Sequence, residues 1–460
     1  MWFKIIMALL LVWPRGYLLI YLIDRTKSFS FGFKFFVGWL LGLAGFTLDI
    51  FAALVFGGQT LNWPVLLLSA TSQIVGFGFM IFLFEKKIPL PHLGALKPFV
   101  LNQINIIRSF SGIEKTVLLL LVLTLLLRVG ASVWQTALIP TYDFDAWNNW
   151  NLRAKVIYTE SVIPLDPANP FYLGGGIKSY PLNDALLKVW LAKAAGNFDE
   201  GVINSVSVIY YCLLLAIFYV ALGSVVPRLV RLVATYALSG VPLLYFHSQV
   251  AYADLYYSIF LFVSLLSLFY FLSNNGLSFF YLSGIMAAFA IWTKNEGLTI
   301  LLPVLLLISM GLWFSKKVKT KDFLLHWFFA ALTIFPWLAF RIINRLDILS
   351  GDSSSFKLVY NGQFVTEVMS SIFLRSHFNL LFVLFFVLML LKIKDVYRDQ
   401  ALRFLFAVIT TLFLIYNGII IFTDKAYDLS AATRVNLHLV PLIVAALAFY
   451  YHKFFGRIKL

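Results

Sequence analysis

Apolar runs of about twenty residues recur along this 460-residue sequence. An α-helix rises about 1.5 Å per residue, so a run of that length crosses the roughly 30 Å hydrocarbon core of a bilayer. A membrane β-barrel would instead show alternating segments of about ten residues. The runs therefore predict an all-α polytopic membrane protein with about thirteen transmembrane helices. Their approximate limits are 1–23, 35–57, 63–84, 116–140, 201–222, 229–247, 254–273, 278–293, 297–314, 323–343, 372–391, 400–423 and 434–451.

The composition agrees with a chain surrounded by lipid. Hydrophobic residues make up 61% of the sequence and charged residues 12%, against about 25% charged in soluble domains. The net charge of +15 could indicate a nucleic-acid ligand, but basic residues beside membrane spans normally mark cytoplasmic loops. We therefore expect the lipid bilayer, and no nucleic acid, as a partner. The single cysteine, Cys212, excludes an intrachain disulfide.

The distribution of basic residues predicts an orientation. The connection 85–115 is rich in lysine and arginine. If it is cytoplasmic, alternate loops place the surplus of basic residues on the same side, as the positive-inside rule requires. The segment 141–200 then lies on the extracytoplasmic or periplasmic face and the C-terminus in the cytoplasm. We expect a multi-pass protein of the cell (inner) membrane.

Two regions follow from these spans. Residues 1–115 form an N-terminal extension of three spans with the basic cytoplasmic loop, and residues 116–460 form the main transmembrane region with the outer loop 141–200. Within that loop, apolar residues at helical spacing alternate with polar ones and predict an amphipathic helix lying along the membrane interface. The apolar positions are Leu182, Leu186, Leu187, Val189, Trp190 and Ala194. The sequence shows no internal repeat, which gives no support to an inverted-repeat transporter.

Two carboxylates, Asp143 and Asp145, open the outer loop. Asp145 could simply cap a helix beginning at Ala146, because aspartate is a favoured N-cap. Capping does not account for Asp143, and an acid at the mouth of a membrane cavity is costly unless it is paired or used. Because a carboxylate can accept a proton from a hydroxyl, both aspartates are candidate catalytic residues. No His or Cys metal motif is present and we expect no cofactor, although a divalent ion held by the two aspartates is an alternative.

Further charged residues are expected on the same face. Asp254 begins a span and could be a helix cap or a polar contact for the substrate. Lys294 and Glu296 share a short turn between two spans, where they could neutralise each other. We favour a contact between Lys294 and a substrate phosphate, because two charges in so short a turn are expensive near lipid.

A group of basic residues completes the candidate site. Arg434 opens the last span, and an arginine at such a position could merely extend its charged end to the interface. This face is otherwise poor in positive charge, however, and a lipid phosphate needs a basic pocket. The candidates for that pocket are Arg341, Arg345, Arg375, His377 and Arg434, with His438 one turn further along the last span.

Four stretches of sequence carry a resemblance to a known class. They are DFDAWNNWNLRAKVIY (143–158), SYPL (179–182), WTKNEG (292–297) and SAATRVNLHLVP (430–441). These stretches resemble the GT-C glycosyltransferases, in particular bacterial members related to protein mannosyltransferases and aminoarabinose transferases. The resemblance covers the chain from about residue 116 and extends to none of the first three spans. Many members have adjacent acids, whereas Phe144 separates Asp143 from Asp145 here, so which aspartate is the base stays open.

The resemblance implies an enzyme with a GT-C-like catalytic region at 116–460. It would transfer a sugar, with inversion, from a polyprenyl-phosphate donor to a hydroxyl acceptor on the extracytoplasmic face. The resemblance also places Trp147 and Tyr180 among the substrate-binding residues. The sequence identifies neither the sugar nor the acceptor. The alternatives are a lipid-linked glycan flippase or transporter, and an oligosaccharide ligase or polymerase.

Overall fold

The computed structural model describes residues 1–24, 26–85, 101, 111–274, 276–347, 358–423 and 428–455. Their secondary structure is helical apart from one isolated bridge between Leu358 and Thr423. The all-α class is therefore confirmed. Most of the basic connection 85–115, and the basic tail after residue 455, lie outside the described residues.

The helices are numbered here in chain order. The first half comprises α1 (Trp2–Ile23), α2 (Phe31–Val55), α3 (Trp63–Glu85), α4 (Gly112–Leu138), α5 (Asn151–Glu160), α6 (Asn183–Ala195), α7 (Glu200–Ala221), α8 (Arg228–Ser239) and α9 (Pro242–His247). The second half comprises α10 (Asp254–Asn274), α11 (Leu277–Ile291), α12 (Leu302–Phe314), α13 (Thr320–Ile343), α14 (Val365–Phe373), α15 (Leu381–Leu391), α16 (Ile393–Arg398), α17 (Gln400–Ile421), α18 (Leu429–Leu437) and α19 (Val440–Phe455). Turns of π-helix, Ala146–Trp150 and Gly297–Leu301, precede α5 and α12.

Within the described part of the chain, nine helices are long and apolar enough to cross a membrane. The pair α18 and α19, bent by 47°, would make a tenth span. The protein is thus a multi-pass membrane protein, and the expected number of about thirteen spans is not confirmed. Two of the apolar runs are broken or shortened. The run 229–247 divides into α8 and α9 at Gly240, just before Pro242, and most of the run 372–391 lies in α15, which has only 11 residues.

Close contact between glycines holds α1 against α2. A Cβ atom on Gly16 would lie 1.9 Å from the carbonyl oxygen of Gly38 and 2.4 Å from the amide nitrogen of Gly42. The same two helices share an ion pair, because Arg15 Nη1 lies 2.6 Å from Asp49 Oδ2. Glycine is therefore required where the two backbones meet, and the intramembrane charges of this region are paired.

The N-terminal helices also contact the main region through hydrogen bonds. Thr47 Oγ1 donates to Asn183 Oδ1 at 2.6 Å, and Trp292 Nε1 donates to Thr47 Oγ1 at 2.9 Å. Asn183 in turn donates to Thr293 Oγ1 at 3.0 Å. A residue of α2 is thus bonded both to the outer loop and to the segment that contains Lys294.

The helix expected within the outer loop is present as α6, but its polar face is not exposed. Asp184 and Lys188 are both buried, and Lys188 Nζ lies 2.6 Å from Asp184 Oδ2. The amphipathic interface helix was the wrong interpretation of this pattern. The polar positions are instead explained by an internal ion pair, because α6 contacts α1, α2, α5 and α7.

We expect Gly16→Ala to lower the free energy of unfolding by at least about 1–3 kcal/mol, because the added methyl group forces α1 and α2 apart. Gly76→Ala is the matched control, since no atom lies within 4 Å of a Cβ there. It should be neutral or stabilise by up to about 1 kcal/mol. Thermal unfolding in detergent measures both, and equal midpoints would contradict the close contact of α1 with α2.

Candidate functional site

Charged residues from four separate segments meet at one end of the helix bundle. α10 and α11 are consecutive antiparallel helices, so the beginning of α10 and the end of α11 lie at the same membrane boundary. Asp254 is the first residue of α10, and Lys294 follows the end of α11. Arg434 comes from α18, which contacts α10, and Asp145 comes from the outer loop. The sequence predicted these residues one by one, and the fold brings them together.

Asp254 is the centre of this cluster. Its side chain is fully buried, and its Oδ1 accepts from Lys294 Nζ at 2.8 Å. Its Oδ2 accepts from Arg434 Nη2 at 3.1 Å and Nε at 3.3 Å. His438 Nε2 lies 3.2 Å from Oδ1. A lone carboxylate at such a position would cost several kcal/mol in lost hydration, which the two cations offset. Both carboxylate oxygens of Asp254 are thus used to hold Lys294 and Arg434, which is more than a helix cap would require.

Lys294 is enclosed by two acids. Its Nζ lies 2.8 Å from Asp254 Oδ1 and 2.8 Å from Glu296 Oε1, with the side chain only 3% exposed. Burial opposes the charge of Lys294, but the two carboxylates outweigh it and raise its pKa. Burial likewise disfavours the charge of Glu296, and the Lys294 ammonium outweighs it and lowers the pKa of that carboxyl. The two residues do neutralise each other, the first of the two alternatives.

Asp145 pairs with Arg434 rather than capping a helix. Arg434 Nη1 lies 2.5 Å from Asp145 Oδ2, and the Asp145 side chain accepts no capping hydrogen bond. The cap interpretation is therefore wrong. The chain turns here through the π-helical segment Ala146–Trp150. Trp150 stacks on Tyr180 with ring centroids 5.2 Å apart, which joins this turn to the SYPL stretch.

Asp143 has a carboxylate oxygen with no partner. Its Oδ2 is buried and makes no hydrogen bond to any described residue. Burial raises the pKa of Asp143, the neighbouring Asp145 raises it further, and Arg434 opposes the change. Asp143 also lines a small cleft together with Gln135, Thr141, Asn204 and Gln249. Glu296 Oε2 is also buried without a partner, but the other oxygen of Glu296 pairs with Lys294, whereas Asp143 forms no ion pair among the described residues.

The other predicted residues lie in different surroundings. Trp147 is 52% exposed and contacts Phe144 edge-on, with centroids 5.6 Å apart. Arg345 and Arg375 are exposed, and neither guanidinium forms an ion pair with the part of the chain that the structure describes. His377 is partly exposed, and burial and the nearby Arg375 lower its pKa. The structure does not join these last three residues to the Asp254 cluster.

A second arginine holds the site together without belonging to the ion cluster. Arg341 is buried, and its Nη1 donates to the carbonyl of Ser179 at 2.8 Å and to Asn295 Oδ1 at 2.9 Å. Ser179 belongs to the SYPL stretch and Asn295 to the WTKNEG stretch. Ser179 and Asn295 were not among the site residues predicted from the sequence. The signal that could have pointed to them is their position inside the SYPL and WTKNEG stretches.

The described residues contain no group of three or more His, Cys, Asp or Glu side chains that could hold a metal ion. Comparison with protein-family models, curated proteins and solved structures finds no match to this chain. The structure itself shows an all-helical, multi-pass membrane protein with a buried charged cluster at one boundary.

We expect Asp254→Asn to lower the free energy of unfolding by about 3–5 kcal/mol, the usual effect of removing one partner from buried ion pairs. Asp145→Asn should cost only about 0–1 kcal/mol, because that pair is partly exposed to solvent. Unfolding of the purified variants in detergent measures the difference. If Asp145→Asn were the more damaging change, Asp254 would not be the residue that holds the cluster together.

Proposed function

We propose that this protein transfers a sugar from a polyprenyl-phosphate donor to a hydroxyl acceptor at the boundary that carries Asp143. The observation that supports the proposal most directly is that an acid with an unpartnered oxygen lies near an arginine whose position is fixed by two ion pairs. Asp143 keeps a buried, unpartnered carboxylate oxygen, and Arg434 is fixed nearby through Asp145 and Asp254. Sugar transfer from a lipid phosphate needs these two groups: a base for the acceptor and a cation for the departing phosphate.

The proposed reaction is a single displacement. The Asp143 carboxylate accepts the proton of the acceptor hydroxyl, and the hydroxyl oxygen forms a bond to the anomeric carbon. The bond from that carbon to the phosphate oxygen breaks, and its electron pair leaves with the polyprenyl phosphate. Attack opposite the leaving group inverts the anomeric centre, by the geometry that governs inverting glycosidases. Negative charge grows on the leaving phosphate, where a cation stabilises it.

Arg434 is better placed than Lys294 to contact that phosphate. The Lys294 ammonium already has two carboxylate partners and is almost fully buried. A guanidinium carries five N–H donors, and the three hydrogen bonds of Arg434 to Asp145 and Asp254 use three of them. The Arg434 side chain is also 19% exposed. It can therefore donate to a phosphate while keeping its contacts with both carboxylates. This assignment replaces the sequence-based preference for Lys294.

The surroundings of Asp143 favour a lipid-borne donor. The helix α4, which leads into the outer loop, exposes apolar side chains up to its end, and the loop continues with exposed aromatic residues. These exposed residues are Trp134, Leu138, Ile139, Tyr142, Phe144 and Trp147. In a membrane protein this surface faces acyl chains, so a polyprenyl chain can reach the acid without leaving the lipid.

We expect Asp143→Asn to reduce sugar transfer by about 10²–10⁴-fold, because the amide keeps the shape of the side chain but cannot accept the proton. The assay supplies purified protein in liposomes with a panel of radiolabelled polyprenyl-phosphate sugars and scores the products. Asp166→Asn, an exposed acid of the same outer loop, is the matched control and should keep full activity. If Asp145→Asn is the inactive variant instead, the roles of the two aspartates are exchanged. Translocation or polymerisation without single-sugar transfer would favour the flippase or the polymerase alternative.

The pH dependence gives a second test of the base. Asp143 must be deprotonated to act, so the transfer rate should fall as the pH drops through its pKa. Burial and Asp145 raise that pKa, so the midpoint should lie above the ordinary value of about 3.9. The Asp145→Asn variant lacks the negative charge that raises the pKa of Asp143, and Arg434 no longer has Asp145 as a partner. Both effects should lower the pKa of Asp143 and shift the acid limb of the pH–rate profile to lower pH. An unchanged acid limb in that variant would contradict the assignment of Asp143 as the base.

A further inference from the structure

A cavity of about 330 Å³ lies at the end of the helix bundle opposite the Asp254 cluster. The residues that line it include Phe31, Gly32, Tyr219, Val220, Arg231 and Tyr270. α7 and α10 end beside it, and α2, α8 and α11 begin there. Asp254 and Tyr270 are sixteen positions apart on α10, which places the cavity about 24 Å along the helix from the ion cluster. The cavity is therefore separate from the candidate active site.

Arg231 is the charged residue among the described residues lining the cavity. Its guanidinium lies over the Tyr219 ring at 4.8 Å from the centroid, and its Nη1 donates to the Tyr219 carbonyl at 3.5 Å. The Nε atom is buried and has no hydrogen-bond partner in the described part of the chain. A buried N–H of a cation without an acceptor is costly, which is typical of a group that awaits an anion.

No carboxylate neutralises Arg231 among the described residues. Asp24, the acid four residues before Ser28 in the chain, has a fully buried side chain and pairs with Lys34 at 2.7 Å. The Asp24 carboxylate also accepts from the backbone N–H groups of Ser28 and Phe29. Its charge and its acceptor capacity are therefore used within the turn, and the cavity keeps the positive charge of Arg231.

The beginning of α2 supplies further donors to the same cavity. Ser30 caps this 25-residue helix by accepting from the N–H of Phe33. The N–H groups of Phe31 and Gly32, in the first turn, have no partner within the helix. Both residues line the cavity, and the helix dipole adds partial positive charge at this end. Two independent features, the arginine and the helix N-terminus, thus supply hydrogen-bond donors for an anion in the same cavity.

We propose that this cavity binds the headgroup phosphate of an anionic phospholipid. The phosphate takes donors from Arg231 and from the first turn of α2, and the aromatic walls contact the glycerol and the first acyl carbons. A cavity of this volume is larger than a phosphate ion and has the size of a small-molecule site. Its apolar walls favour a diester with attached chains over free inorganic phosphate. Its place at the ends of five helices matches the depth of a phospholipid headgroup.

The test uses delipidated, full-length protein in detergent and counts bound lipid by native mass spectrometry. Phosphatidylglycerol should bind with saturation, whereas phosphatidylcholine and inorganic phosphate at the same concentration should neither bind as tightly nor displace it. Arg231→Gln should weaken phosphatidylglycerol binding by about tenfold to a hundredfold, because it removes a charge-assisted hydrogen bond. Val220→Phe, which fills the cavity without changing its charge, should weaken binding to a similar extent while the thermal midpoint confirms folding.

Arg403→Gln is the matched control. Arg403 lies near the beginning of α17, at the same membrane boundary, and its guanidinium also lies over a tyrosine ring, that of Tyr397, at 5.8 Å. It is exposed and does not line the cavity. Unchanged binding in Arg231→Gln, or an equal loss in Arg403→Gln, would overturn the proposal. Displacement of the lipid by equimolar inorganic phosphate would also overturn it, because the site would then take the free anion.

Discussion

The burial of the Asp254 carboxylate is the constraint on which the arrangement of the site depends. A carboxylate out of reach of water must be paired, and the cations that pair with it come from different parts of the chain. Lys294 follows α11 and Arg434 belongs to α18, so one acid fixes the positions of three segments. Arg434 then holds Asp145, and through it the outer loop. The geometry around Asp143 follows from these contacts.

Hydrogen bonds outside the Asp254 cluster extend the same organisation to other segments. Arg341 joins the SYPL stretch to the WTKNEG stretch through Ser179 and Asn295. Thr47 of α2 contacts Asn183 and Trp292, so the N-terminal helices support the site although they supply none of its acids. In a low-dielectric interior each polar group left without a partner would be costly. The satisfied network therefore defines one relative position for the helices that meet there.

The groups of the site divide into those that are committed and those that are free. Asp254, Lys294 and Glu296 are joined by ion pairs and form the fixed part of the site, although Oε2 of Glu296 has no partner among the described residues. Asp143 Oδ2 has no hydrogen-bond partner among the described residues, and Arg434 uses three of its five donors on Asp145 and Asp254. The proposed sugar transfer rests on this division, because chemistry requires groups whose hydrogen-bonding capacity is not already consumed. Arg231, at the opposite end of the helix bundle, is comparable, because it is a cation with no acidic partner in the described part of the chain, and we propose an anionic phospholipid as its ligand.

The sequence by itself determined the class of the protein, because the length and apolarity of a run decide locally whether a helix can cross a bilayer. It also singled out Asp145, Asp254, Lys294 and Arg434 as candidate site residues on one face of the membrane. Only the tertiary structure decided their partners: Arg434 meets Asp254 across 180 positions and Asp145 across 289. The same holds for α6, whose polar face became an internal ion pair, and for Arg345 and Arg375, which lie apart from the cluster. Helical periodicity tells which residues share a face of one helix, but which faces meet depends on packing between distant segments, and that packing determines where a buried charge finds its counterion.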